Sequence, residues 1–214
     1  MKTDCTPAGP ITSLLGYGVI AGPFYVAVAL AQALTRDGFD LRRHAWSMLA
    51  NGDFGWIQIV NLVLTGLMTV AAAVGLRRAL APGRGATWGP YLIGAYGVSL
   101  VGAGIFRADP GSGFPVGAPE TVTPSWHGML HLAVAGVGFL CLSAACLVLA
   151  NRLSREGRRG LAWFSRGTGV FFVASFAGLA SGAGGPAVLV FVAGVVTVCA
   201  WLAVLSAHYY RATA

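Results

Sequence analysis

The sequence predicts an all-α fold, a six-transmembrane-helix bundle with a structured extracytoplasmic cap formed by its first and third loops. Three observations carry this. Only 10% of the 214 residues are charged and 56% are hydrophobic, whereas soluble domains carry about 25% charged residues. The chain therefore lacks the polar side chains to coat a water-soluble globule of its size. Its apolar residues form continuous runs about as long as the roughly 20 residues that a spanning helix needs, without the alternation of barrel strands. The basic residues sort to one side of those runs, which is the signal that sets membrane orientation.

The spans follow in order. Span one is Ile11–Leu34, where Pro23 removes a backbone bond and predicts a kink. Ala31-Gln32-Ala33 resembles a leader-cleavage site. The long apolar region, Pro23 and a basic segment of only Lys2 beside Asp4 favour a retained span. Span two, Trp56–Leu76, carries Gln58, Asn61, Thr65 and Thr69 at offsets that trace one helical face. Polar groups facing lipid are costly, so this stripe is expected to face the interior. There it either bonds neighbouring helices or walls a polar cavity. Spans three (Trp88–Phe106), four (His127–Ala150), five (Ala162–Ser181) and six (Gly185–Ala207) complete a single membrane domain covering residues 1–214. Segments such as "GYGVIAGP", "GAYGVSLVGAG" and "FAGLASGAGG" supply the small residues that let helices approach closely. Cys141, Cys146 and Cys199 fall inside spans, and with Cys5 they form no CxxC spacing that would mark a redox pair or a cysteine zinc site. No span holds a charge at its centre that would favour transport.

Ten basic residues, Lys2, Arg77, Arg78, Arg84, Arg152, Arg155, Arg158, Arg159, Arg166 and Arg211, lie beside the termini or the second and fourth loops. Four, Arg36, Arg42, Arg43 and Arg107, lie in the first and third. This asymmetry predicts a protein of the inner (plasma) membrane with both termini cytoplasmic. It also accounts for the net charge of +7 without nucleic acid as a partner. Asp37, Asp40, Asp53, Asp109 and Glu120 fall on the outer side, where any chemistry is expected.

In the first loop Asp40 is placed to cap a helix from Leu41 to Ala50, stopped by Asn51-Gly52. On that helix His44 shares a stripe with Leu41, Ala45, Met48 and Leu49 and faces the membrane side. The third loop holds four prolines and three glycines between Phe106 and Ser125. Irregular backbone of this kind, beside a membrane, must pack on protein or line a wet cavity. Asp109 precedes Pro110 and either forms a turn or turns its carboxylate into an outer pocket. Thr123 is expected to cap span four, with Pro124 at its first position. His127 and His131 then sit one turn apart near the positive helix end, which favours neutral imidazole. Histidines at i and i+4 can offer a helix's two zinc ligands. Residues 128–130 are Gly-Met-Leu, so the glutamate of the metalloprotease helix is missing. His44 with Asp109, Asp53 or Glu120 would complete a three- or four-ligand site. Acid–base work or plain packing are the other readings of the same histidines. Trp46, Phe54, Trp56, Phe106, Phe114 and Trp126 form an outer aromatic belt, and Trp88, Trp163, Tyr209 and Tyr210 an inner one that includes His208. A pocket for a lipid head or an isoprenoid would use the same outer residues.

"LRRHAWSMLANGDFGWIQIVNLVLTGL", "GIFRADPGSGFPVGAPE" and "SWHGMLH", in that order, resemble bacterial six-helix membrane proteins catalogued as domain of unknown function 998. The resemblance spans nearly the whole chain and implies a six-span fold, common in actinobacteria, with no settled activity. Three functions follow from the outer residues. A metal-dependent hydrolase acting on a membrane lipid would bind zinc through His127, His131 and His44. Asp109 or Asp53 would serve as further ligand or base, and zinc would lower a bound water's pKa to about 7. The residue types are similar to those of ceramidase-like membrane hydrolases. A terpene-cyclase-like enzyme would protonate an isoprenoid from Asp53 or Asp109 beside Phe54, Trp56 and Phe106. A non-enzymatic protein would bind, transport or assemble instead.

Overall fold

This computed structural model describes residues 9–182 and 184–213. Lys2, Asp4 and Cys5 lie outside the described residues. Six α-helices account for most of the described residues: α1 (Pro10–Thr35), α2 (Gly55–Leu80), α3 (Trp88–Ile105), α4 (Trp126–Arg155), α5 (Arg159–Ala180) and α6 (Gly185–Thr213). Each packs on the next and α6 returns to α1, which closes the helices into a ring. The connections 36–54 and 106–125, the end of α5 and the start of α6 share one end of this ring. The other end holds the connections 81–87 and 156–158, the start of α1 and the end of α6.

α1, α2, α4 and α6 are each long and apolar enough to cross a membrane. α3 has 18 residues, which gives it a length of about 27 Å at 1.5 Å per residue. α5 carries Arg159 and Arg166 in its first half. Outward faces remain greasy all round, as Leu67, Val98, Val137, Leu140 and Val170 illustrate. A soluble bundle turns charged residues there.

Close packing rests on small residues where helices cross. A Cβ on Gly66 of α2 would meet the Gly97 carbonyl of α3 at 2.5 Å, and one on Gly97 would meet the Gly66 carbonyl at 2.8 Å. Only glycine lets these backbones touch, as in small-residue packing within membranes. The stripe Gln58, Asn61, Thr65 and Thr69 is buried and serves interhelical bonding. Gln32 Nε2 donates to Gln58 Oε1 at 2.9 Å, and Asn61 Nδ2 donates to the Tyr25 carbonyl at 3.1 Å. Asn61 also donates to Gln58 Oε1 at 3.1 Å, so polar groups in the apolar interior are spent on α1 and on one another. Pro23 lies inside α1, which continues past it to Thr35.

At the end with the start of α1 and the end of α6, Leu15, Leu76, Leu80, Leu149, Leu153 and Leu205 are all fully buried. The opposite end differs from the sequence expectations in two places. Residues 41–50 do not form a ten-residue helix. Asp40 Oδ1 accepts from Arg42 N–H and Asp40 N–H donates to His44 Nδ1, which turns the chain, and only Trp46–Ala50 winds as a 3₁₀ helix. Local side-chain bonds have outcompeted the helix ladder here. The cap of α4 is Ser125 rather than Thr123, with Pro124 lying before the cap. Ser125 Oγ accepts from Gly128 N–H at 3.1 Å.

Candidate functional site

The loops 36–54 and 106–125 fold onto one another as a lid. Arg36, just past α1, donates to the Leu49 and Asn51 carbonyls, both at 2.5 Å. Its guanidinium also lies 5.0 Å over the Phe114 ring. Partial burial holds its pKa below the ordinary arginine value, and the Asp53 carboxylate pulls the other way. Asn51 Nδ2 donates to the Ala108 carbonyl at 3.0 Å, which ties the first loop to the third. Arg43 and Glu120 make an exposed ion pair at 2.5 Å across the same seam.

His44 lies at the centre of this lid, with 1% of its surface exposed. Its Nδ1 accepts from Asp40 N–H at 2.9 Å, so Nε2 carries the proton and donates to the Ser112 carbonyl at 3.0 Å. The ring packs between Phe39 and Phe114 at 5.2 and 5.4 Å between centroids. Both nitrogens are therefore committed to backbone.

Under the lid lies a chamber of about 280 Å³, near the lower edge of ligand-pocket sizes. Trp46, Met48, Ala108, Asp109, Ser112 and Val122 of the lid roof it. Tyr25, Tyr96, Phe139, Phe176, Phe191 and Val195, from five helices, line it below. Phe139 meets Phe172 and Phe176 at 5.0 Å and Phe191 at 5.6 Å between centroids, so an aromatic cluster bounds the chamber on the α5–α6 side. Leu132 lines the chamber yet is 65% exposed. The chamber thus reaches the outer surface of the bundle beside α4.

His131 lies on the chamber wall and is 4% exposed. Its Nδ1 sits 2.8 Å from the Phe106 carbonyl and 3.2 Å from that of Ala103. Carbonyls only accept, so Nδ1 bears the proton and satisfies carbonyls at the end of α3 that have no helical partner. Asp109 also lines the chamber. One carboxylate oxygen accepts from Ser125 N–H at 2.9 Å and the other from the Ser125 hydroxyl. This braces the α4 N-terminus, where negative charge is favourable. Gly128 is required beneath it, because a Cβ there would run into the carboxylate.

The structure does not gather the residues expected to hold zinc. His127 is exposed, its ring against Trp126 at 3.5 Å between centroids, while His131 one turn on is buried. His44 has no free nitrogen. Among the described residues no three His, Cys, Asp or Glu side chains converge on a point where a metal ion could sit. Asp53 is exposed and outside the chamber, and Glu120 is paired with Arg43. Of the expected site residues, His131 and Asp109 reach the chamber. Trp46 and Phe114, assigned by sequence to the aromatic belt, are buried in the lid, as is Tyr209 in the bundle. Tyr25, Tyr96, Ser99, Phe139, Phe176 and Phe191 were not singled out by sequence. Nothing in a single chain distinguishes a chamber-lining aromatic in a span from a packed one.

Fold and site together define a multipass helical membrane protein with an apolar chamber under a structured lid. The chain belongs to the family described as Protein of unknown function (DUF998), whose model matches residues 19–208. No curated protein and no solved structure matches it.

Proposed function

We propose that the protein binds a lipid-like apolar molecule in the chamber, at the extracytoplasmic side of the inner (plasma) membrane. The observation that carries this reading is the lining: aromatic and aliphatic side chains enclose about 280 Å³ and open beside Leu132 toward lipid. Ligand sites of this kind are mostly apolar with a few placed polar groups. Binding fits the lining better than bond breaking, because the Asp109 carboxylate is taken up by Ser125 and His44 is taken up by backbone. The orientation follows from the arginines. Arg77, Arg78, Arg84, Arg152, Arg155, Arg158, Arg159 and Arg211 cluster at the end with the start of α1 and the end of α6, which the positive-inside bias places in the cytoplasm. All six helices then cross the bilayer, α3 and α5 presenting apolar side chains such as Val98 and Val170 on their outer faces.

The test is a filled chamber. Ala135 of α4 is buried and lines the cavity. Wild-type protein, extracted in mild detergent and examined by native mass spectrometry, should carry a solvent-extractable apolar species or take one up when it is added. Ala135→Phe should carry none while keeping its helical circular dichroism. Wild-type protein that neither carries nor takes up such a molecule, or a variant that retains it, refutes the proposal.

A further inference from the structure

Resting on that binding role, we infer that the ligand's polar end is an uncharged hydroxyl that donates to His131 Nε2: the chamber takes a long-chain alcohol, linear or isoprenoid. The inference begins with the tautomer. Nδ1 must donate, because its neighbours at 2.8 and 3.2 Å are both carbonyl oxygens. Nε2 is then a bare acceptor on a ring that is 4% exposed and lines the chamber. Among the described residues it has no hydrogen-bond partner. That acceptor stays open, so a donor entering the chamber can meet it.

Charge excludes the other common lipid heads. Among the described residues no lysine or arginine lines the chamber. Arg36 is spent on the Leu49 and Asn51 carbonyls and Arg43 on Glu120. A carboxylate or phosphate would enter without a countercharge and meet Asp109. An ammonium would find Asp109 already engaged by Ser125 and the α4 N-terminus. Burying an ion without a partner is far costlier than burying a hydroxyl that is hydrogen-bonded. The buried Tyr96 phenol lines the chamber deeper along α3 and has no partner among the described residues. The ligand's chain then lies among Phe139, Phe176 and Phe191.

The experiment compares four ten-carbon probes, 1-decanol, decane, decanoate and decylamine. Each is titrated calorimetrically into full-length protein in detergent, and binding is read as the difference from Ala135→Phe. Wild-type protein should prefer decanol to decane by about 2- to 10-fold, the range for one net hydrogen bond, and should bind decanoate and decylamine more weakly than decanol. His131→Phe should bring decanol down to the affinity of decane, leaving decane itself unchanged. Equal binding of decanol and decane by wild-type protein, or tighter binding of either ion, overturns the inference while leaving the chamber a binding site. Uptake of none of the four overturns the binding role itself. A preference lost in Tyr96→Phe but kept in His131→Phe also overturns the assignment. If His131→Phe does not fold, the wild-type ranking decides.

Discussion

Replacing His44 by alanine separates a structural pin from a metal ligand. The substitution removes two hydrogen bonds, from Asp40 N–H and to the Ser112 carbonyl, and packing against Phe39 and Phe114. A net hydrogen bond contributes about 0.5–1.5 kcal/mol and an aromatic pair about 0.5–1.5 kcal/mol. With the middle of the first range and, for an imidazole, the low end of the second, the lid loses about 3 kcal/mol of docking. That is about two decades in its opening equilibrium. Hydrogen exchange by mass spectrometry reads this directly. Lid amides such as Ser112 N–H, bonded to the Glu120 carbonyl, and Phe114 N–H, bonded to that of Gly111, should exchange about 100-fold faster. Amides at the α2–α3 crossing should not change. Unaltered lid exchange, or acceleration spread evenly over the whole bundle, would refute the pin. So would wild-type lid exchange that quickens when a chelator is added, because a metal would then be holding the imidazole.

Further outcomes are expected from the same geometry. Gly128→Ala should lower thermal stability by about 1–3 kcal/mol through collision with the Asp109 carboxylate, despite alanine's better helix propensity. In an Asp109→Ala background the same substitution should cost little, read as the melting difference between Asp109→Ala and the double variant. Gly66→Leu should separate α2 from α3 at the crossing with Gly97 and cost enough that little protein survives detergent extraction, measured by size-exclusion yield. Asn61→Ala should cost only about 0.6–1.7 kcal/mol, the range for hydrogen bonds inside membranes, because Gln58 still reaches Gln32. Arg36→Lys should loosen the segment 46–51 in limited proteolysis, since one ammonium cannot span the Leu49 and Asn51 carbonyls as the guanidinium fork does.

Chain composition and local pattern were enough for some features. Apolar run length gave six helices, because a segment without polar side chains has nowhere to lie but in lipid or core. The spacing of Gln58, Asn61, Thr65 and Thr69 showed that one face of α2 turns inward, since that follows from helical periodicity alone. Which partners those residues choose was not legible. The sequence allowed either a cavity wall or interhelical bonds, and Tyr25 and Gln32 on α1 decided for bonds.

The lid was the least legible part. Asp40 looks like a helix cap in isolation, yet it turns the chain because His44 bonds Asp40 N–H and then reaches Ser112, far away in sequence. His127 and His131 share a spacing but not an environment. Packing of the α3 end against α4 buries one of them and leaves the other outside. Periodicity and composition are local properties, and they fixed the helices and their apolar character. Which histidine nitrogen stays free, and whether a void remains among the aromatics, depends on contacts between residues distant in the chain, so tertiary structure alone decided them.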